Sequence, residues 1–598
     1  MKPTKEILDR IMVNSRKNKE EIFTRLYRYM LRPDLYYLAY NKLYRNNGAS
    51  TKGVDDDTAD GFSEEKINSI IKSLTEKTYA PKPVRREYIK KRRNSTKKRP
   101  LGLPTFTDKL VQEVLRMILE AVYEPTLSHF SHGFRPKRDC HTALNSLKKE
   151  FTGSSWFIEG DIKGCFDNID HSTLINIISS KIKDARLINL IWKFLKAGYM
   201  EDWKYHNTYS GCPQGGIVSP LLSNIYLNEL DKFAAKMAKE FYTPKTRKFT
   251  PEYTKLINMQ GKLNYQLKSA NGEEKSDLLK RLKELKAQKR KTPCASKTDK
   301  VMKYIRYADD FIIGVKGDKS DCEHIKKQFS EFISQNLKME LSEEKTLITH
   351  SNQYARFLGY DVRVRRDDTV KPYPTHTQRT FNGKIELNVP FADKIMPFLF
   401  DKAIIKQTHD GKIEHIARKR LYRCTDLEII DAYNSELRGI CNYYSIASNF
   451  SKLNYFAYLM EYSCLKTLAG KHKSTSSKMV DKFSIGNDND KWGIPYETAK
   501  GQKYRTFAKY TDCKDTDSFS DVIIEQATIH AGMRTTLENR LAAKICELCG
   551  KANVPLAMHH VNKVKNLKGK QHWEIVMIAK RRKTLAVCKN CHHKIHHS

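Results

Sequence analysis

The chain has no long apolar run. Nowhere in its 598 residues does a stretch approach the roughly eighteen consecutive apolar residues that a membrane-crossing helix needs. The opening Met1-Lys2-Pro3-Thr4-Lys5-Glu6 has no apolar signal core. The expectation is a cytoplasmic chain with no membrane partner. A disulfide framework is missing too, since nine of the thirteen Cys are scattered without pairing pattern, which fits a reducing compartment. Acid is scarce: 69 Asp and Glu face 108 Lys and Arg, a net charge of +39. Such an excess favours polyanions through steering and counterion release, so nucleic acid is the expected partner. The hydrophobic share is only 39%, yet 31 Tyr and 25 Phe are more aromatics than a disordered chain carries. A folded, basic protein of several domains follows.

The positive charge is clustered. Residues 81–100 hold ten Lys or Arg against one Glu, and 241–300 hold sixteen against six acids. The first cluster reads as a basic strand, Pro83 to Arg93, followed by Lys97-Lys98-Arg99-Pro100-Leu101-Gly102, where cations beside a constrained turn suit a triphosphate or template phosphate, or simply form a solvated face. The second reads as two amphipathic helices over 253–290 meeting at Asn271-Gly272, an insertion. Upstream, apolar periodicity over 20–46 predicts two helices broken at Arg32-Pro33-Asp34, and Thr107 is the expected cap of a helix from about Asp108.

In Trp156 to Ile162, Trp156, Ile158, Gly160 and Ile162 alternate with Phe157, Glu159 and Asp161, the period-2 pattern of a strand with different chemistry on its two faces, ending at Asp161. A second pair of β-rich runs, Val301 to Tyr307 and Phe311 to Val315, meets at Ala308-Asp309-Asp310. Two acids on a tight turn with a third on a neighbouring strand make a site for hard cations, because such close carboxylates resist joint ionisation unless metal neutralises them. Two divalent ions there suit polymerase chemistry. Phe166, in the turn after Asp161, either excludes a sugar 2′-hydroxyl by bulk or is a core residue. Cys212-Pro213-Gln214-Gly215-Gly216 forms a second constrained loop whose glycines permit close backbone approach.

The succession of Arg99-Pro100-Leu101-Gly102, Asp161 with Phe166, Pro213-Gln214-Gly215, Tyr307-Ala308-Asp309-Asp310, Lys345 and Phe357-Leu358-Gly359-Tyr360 resembles the reverse transcriptases encoded by group II introns, of the bacterial type bearing all domains. The resemblance implies a multidomain α+β architecture: right-hand polymerase fingers and palm over 1–360 with the insertion at about 240–300, a helical thumb or maturase (X) domain over 361–475, a small DNA-binding region over 476–540, and a zinc-stabilised HNH module (ββα-metal) over 541–598. It implies Mg²⁺ at Asp161, Asp309 and Asp310. Lys91 and Arg99 would touch the triphosphate, Phe166 would gate the sugar, and Gln214 with Gly215 would back the nascent pair. Lys345 joins the substrate-binding set, and Phe357 to Tyr360 would grip the primer end. Long helices are expected over 393–406, 427–447 and 453–471, with Arg438, Tyr443 and Tyr444 among candidates for RNA contact.

In the tail, Cys546-Glu547-Leu548-Cys549 and Cys588-Lys589-Asn590-Cys591 give a thiolate set for structural Zn²⁺. The histidines around them fit an HNH-type nuclease. By resemblance His560 would be the general base, His559 and His596 would hold one divalent ion, Asn566 is a candidate for the central Asn, and His593 and His597 are bystanders. A zinc module that binds DNA without cutting is the competing reading.

The expected function is therefore intron mobility and splicing: binding intron RNA as a ribonucleoprotein, assisting splicing, nicking a double-stranded DNA target and copying the intron from dNTPs by target-primed synthesis. A homodimer is one expected assembly. The competing functions are an RNA-binding splicing cofactor with an inactive polymerase, and a reverse transcriptase that serves no intron.

Overall fold

The computed structural model describes residues 4–90, 98–202, 204–212, 215–244, 249–292, 294, 299–367, 369–372, 374, 377–379, 382–485, 488–498, 501–513 and 536–597. Its centre is a four-stranded antiparallel sheet in the order Val301–Tyr307, Asp310–Lys316, Trp156–Asp161, Ile348–His350. The sheet divides two hydrophobic cores, so successive residues along its strands enter opposite cores and both faces carry apolar side chains. Ile158, Tyr304, Phe311 and Ile313 face one, with the helices Ser219–Phe241 and Lys319–Leu337. Phe157, Ile305 and Ile312 face the other, with the helix Cys140–Glu150 and the region beyond residue 354.

The first core extends to the N-terminus through the helix Phe106–Tyr123, which is buried along almost its whole length. Its cap is Thr105, whose hydroxyl accepts from the Asp108 amide at 3.1 Å, and not the expected Thr107. Thr107 instead donates from its amide and hydroxyl to Asp57, at 2.7 and 2.6 Å. A proline-led helix Pro33–Leu43 follows a single turn, Tyr27–Met30, so the expected break at Arg32-Pro33 is present and the first element is shorter than the periodicity suggests. A second mixed sheet runs Lys98–Leu103, Val84–Lys90, Tyr199–Glu201, Lys204–His206. The basic insertion folds as the helices Pro251–Gln266 and Gly272–Lys291, with Leu278, Leu282 and Leu285 inward.

After residue 354 the chain is less helical than its texture suggests. Ala355–Phe357, Tyr360–Val364 and Ile385–Asn388 form an antiparallel sheet. The helix expected over 393–406 is a π turn and a short helix, Met396–Asp401, which the left-handed Ala403 ends before the hairpin Ile405–Gln407 and Ile413–His415. The two long helices are Asp426–Tyr443 and Leu453–Lys471. Residues early in the expected DNA-binding region fold against them: Trp492 Nε1 donates to Glu461 at 2.9 Å, and Asn434 holds both Thr506 and Ala508. At the C-terminus, strands Leu556–His560 and Thr584–Cys588 pair antiparallel beside the helix Lys589–His597. Among the described residues no helix is long and apolar enough to cross a membrane.

Beneath the acidic turn lies Arg306, which has no exposed surface. Its Nε and Nη2 bond both Asp231 oxygens at 2.7 Å, and Nη2 also donates to Ser131 Oγ at 2.9 Å. Nη1 reaches the Ala308 carbonyl at 2.8 Å and Asn224 Oδ1 at 3.2 Å. Gly133 lies directly over this turn, and a Cβ there would come 2.4 Å from the Ala308 nitrogen. Removing Asp231 would strand a buried cation, at a cost of about 3–5 kcal/mol. Asp231→Ala should therefore lower the first thermal unfolding midpoint sharply, and Asp231→Ala combined with Arg306→Met should recover part of it, as differential scanning calorimetry will report.

Candidate functional site

Two constellations stand out. In the first, register places Asp161 directly opposite Asp310, and the left-handed Ala308 turns the chain so that Asp309 sits at the tip between the strands. Lys345 Nζ donates to Asp161 Oδ2 at 2.6 Å. Burial raises the Asp309 pKa, Asp161 adds to it, and the Arg99 and Lys345 cations pull it back. Asp310 keeps an exposed face, but the protein crowding its carboxyl, and then Asp309 and Asp161, push its pKa up to about 7. Three carboxylates this close favour a cation that neutralises them. Arg99 stands on the strand Lys98–Leu103, exposed and opposite Ile89. Phe166 is half-buried, edge-on to the exposed Phe134 at 6.1 Å. Gly215 adopts φ +110°, and a Cβ there would lie 2.3 Å from the Gly102 carbonyl, so this loop must pass hard against the basic hairpin. Lys91 and Gln214 lie outside the described residues.

The turn Phe357-Leu358-Gly359-Tyr360 is pinned from the following region. Tyr443 Oη donates to the Leu358 carbonyl at 2.5 Å, Tyr444 Oη to the Gly359 carbonyl at 3.1 Å, and Tyr360 Oη to the Tyr443 carbonyl. Tyr443 and Tyr444 are thus structural pins and not the exposed stacking residues expected of them; Arg438 is exposed.

The second constellation is in the tail. The four Cys ligand atoms lie within 4.8 Å of one another, with Cys549 and Cys588 Sγ 3.9 Å apart. Tetrahedral thiolates about 2.3 Å from one ion would be spaced roughly 3.8 Å, so the donor set fits such a centre. Backbone amides of Cys549, Cys588 and Leu548 outweigh burial and bring the Cys546 thiol down to about 7, toward the thiolate a metal takes. Beside it a second group converges within 4.8 Å: His559, His592, His596 and Asp60. Both ring nitrogens of His559 are buried without a hydrogen-bond partner among the described residues, a donor set suited to a cation. His560 points the other way, its Nε2 3.1 Å from the Tyr44 carbonyl and its Nδ1 3.5 Å from Ser50 Oγ.

Three family models match the chain: reverse transcriptase (RNA-dependent DNA polymerase) at residues 89–245, type II intron maturase at 382–527, and AI2M/AI1M-like HNH endonuclease at 546–592. The group II intron-encoded protein LtrA of Lactococcus lactis subsp. cremoris is 59% identical over 100% of both chains. This chain belongs to the group II intron-encoded proteins. A 91 kDa protein in a cob intron of Schizosaccharomyces pombe is 35% identical over 99% of this chain and 73% of its own length. Nuclear intron maturase 2 of Arabidopsis thaliana mitochondria is 27% identical over 81% and 70%. As a group II intron-encoded protein it carries reverse transcriptase, maturase and HNH endonuclease regions, and its work is intron mobility, splicing and reverse transcription.

In this group II intron-encoded protein the structure brings together Asp161, Asp309 and Asp310, with Lys345 paired to the first, and gathers Cys546, Cys549, Cys588 and Cys591. It places His559 and His596 in one cluster, with Asn566 outside it on the exposed turn Val564–Asn566. Sequence reasoning missed two members of that cluster. His592 follows the last zinc-type Cys and stands one helical turn before His596, a spacing that marks it. Asp60 carries no local signal. The Asp310 pKa, raised to about 7, gives the carboxylate cluster a pH dependence: a protonated carboxyl must lose its proton before it can hold a cation. The Mg²⁺ concentration giving half-maximal primer extension should therefore rise as pH falls from about 8 to about 6.

Proposed function

We propose that this protein copies RNA into DNA at Asp161, Asp309 and Asp310, assists its intron RNA through the region after residue 360, and nicks double-stranded DNA with its C-terminal module. The convergence of three carboxylates on one strand end and one turn carries the reading. RNA binding alone has no use for acids placed to repel phosphate. Two Mg²⁺ ions held there would activate the primer hydroxyl and stabilise the leaving pyrophosphate. In that reading residues 1–360 are fingers and palm with the insertion at about 240–300, 361–475 the thumb and maturase domain, 476–540 a DNA-binding region, and 541–598 the endonuclease.

Lys345 is exposed and bonded to Asp161, so it would bind the phosphates of an entering substrate and leave Asp161 to hold metal. Arg99, with Lys91, steadies the triphosphate, Phe166 closes the sugar pocket against a 2′-hydroxyl, and Gln214 and Gly215 back the new base pair. The pinned turn 357–360 holds the primer end. In the tail, Cys546, Cys549, Cys588 and Cys591 would hold Zn²⁺ as a structural centre, His559 and His596 would hold a divalent ion, and His560 would serve as base once freed from Tyr44. A divalent ion there would neutralise the scissile phosphate. Intron RNA, duplex DNA and dNTPs are the partners, the cell compartment is the cytoplasm, and a homodimer is the assembly to test.

Exposed rings on one side of the helix Leu453–Lys471 suit RNA bases. Tyr455, Tyr458 and Tyr462 are each at least 40% exposed, Tyr458 and Tyr462 lie 4.5 Å apart, and His415 stacks on Tyr462. Asp309→Ala should lower primer extension by at least about a hundredfold while leaving protein-assisted splicing intact. Loss of both would sink the separation of the two functions. Tyr458→Ala with Tyr462→Ala should weaken intron RNA binding roughly tenfold or more, with an unchanged salt slope because no charge is removed; filter binding across a salt series will read both.

A further inference from the structure

The endonuclease module is docked on the opposite end of the chain. The short strand Phe62–Ser63 pairs antiparallel with Leu556–His560, matching Phe62 to Met558 and Ser63 to Ala557, and becomes a third strand of the module's sheet. Immediately before it, Asp60 enters the histidine cluster. Its Oδ1 lies 3.2 Å from His559 Nδ1, and its Oδ2 lies 3.1 Å from His592 Nε2 and 2.8 Å from His596 Nε2. Nδ1 of His559 and Nε2 of His592 make these approaches without hydrogen-bond geometry and have no other partner among the described residues. His596 Nε2 is within a hydrogen bond of Asp60 Oδ2, and all four ligand atoms lie within 4.8 Å of one another, close enough to share one ion. On the same loop the Asp60 carboxylate also accepts from the His560 amide at 2.7 Å.

We propose that Asp60, from the N-terminal region, is the fourth ligand of the endonuclease ion, and that it holds the docked module as a closed, resting nuclease. The proposal rests on the reading of His559 and His596 as ion ligands. Catalytic sites of this kind keep one position open for water or substrate, whereas four protein ligands close the set. Three imidazoles alone leave that position free, and Asp60 fills it. The same docking turns His560 onto the Tyr44 carbonyl, so the group that must take a proton from water is engaged elsewhere. Activity then requires the DNA phosphate to displace Asp60 as strand Leu556–His560 parts from Phe62–Ser63. No sequence signal links two ends of the chain so far apart, but they are complementary: a carboxylate on one side, three imidazoles on the other.

The test uses the full chain with its four-cysteine centre loaded and Asp161→Asn and Asp309→Asn in the background, so that Mn²⁺ titration followed by electron paramagnetic resonance reports the histidine cluster alone. Asp60→Asn should weaken Mn²⁺ binding by about tenfold or more, and at saturating Mn²⁺ its nicking of duplex target should be faster than the parent's. In a separate variant, Ser63→Cys with Ala557→Cys, disulfide formation should stop nicking and a reductant should restore it. His559→Ala should abolish Mn²⁺ binding. If it binds as the parent does, the ion reading itself fails. If His559→Ala loses the ion while Asp60→Asn binds it unchanged, the ion reading stands and Asp60 is only a docking contact. If Asp60→Asn binds more weakly and cannot nick at saturating Mn²⁺, or if the cross-linked chain nicks at the parent rate, the resting-state proposal is overturned. Zinc content and the unfolding midpoint exclude misfolding as the cause of any loss.

Discussion

The carboxylate cluster at the acidic turn depends on one buried cation. Arg306 is stripped of water entirely, a loss of several kcal/mol that an ion pair alone recovers poorly. What makes it tolerable is completeness: five N–H donors meet five acceptors, two on Asp231 and one each on Ser131, Asn224 and the Ala308 carbonyl. Those acceptors come from separate segments, so the guanidinium fixes the loop before Gly133, the helix Ser219–Phe241 and the acidic turn in one geometry. Asn224 is shared, accepting from Arg306 and donating to the Gly133 carbonyl at 2.8 Å. The left-handed Ala308, costly for a residue with a Cβ, is held by this arrangement, and with it the direction of Asp309.

A second constraint ties the site to the region that follows it. Leu358 and Gly359 both have positive φ, and their carbonyls are taken by Tyr443 and Tyr444 at the end of the helix Asp426–Tyr443. Burial pushes both phenols up, Tyr444 to about 12, so they stay neutral donors at any physiological pH. His141 adds a contact from the helix under the sheet, its Nε2 lying 2.8 Å from the Tyr443 carbonyl. The end of the helix Asp426–Tyr443 is therefore tied to the 357–360 turn through hydrogen bonds and not through packing alone.

How much of this was legible in the sequence follows from how local each cause is. The strands at 156–161 and 301–316 could be read because a sheet buried between two cores needs short runs rich in β-branched and aromatic residues bounded by turns, which these stretches carry. The insertion helices could be read because Leu278, Leu282 and Leu285 repeat at helical spacing and Asn271-Gly272 breaks the pattern. The sheet over 355–388 could not, since its strands are three to five residues long and owe their existence to partners elsewhere. Thr107 looked like a cap, and the preference was right in kind, but Asp57 claimed its hydroxyl and Thr105 took the role. Tyr443 and Tyr444 carry the composition of a stacking surface, and only tertiary contact shows that their hydroxyls face inward. Among the metal-type residues, His592 was recoverable from its place after Cys591, and Asp60 was not.

The Asp60 contact also answers a structural need of the module itself. Strand Leu556–His560 has Thr584–Cys588 on one side, and without Phe62–Ser63 its other side would be a bare edge carrying unpaired backbone groups, with the wholly buried Met558 at its centre. The two-residue strand covers that edge and places Phe62, stacked on Tyr40 at 3.9 Å, in a core continuous between the two ends of the chain. Gly61 donates to the Met558 carbonyl and adopts φ +75°, a conformation that turns the chain from the paired strand so that Asp60 meets the histidines. Edge protection and ligand delivery are therefore one feature. Separating the module to reach DNA must expose the edge and free the fourth position together, so release of the nuclease carries a cost that only a bound substrate, covering both, can repay.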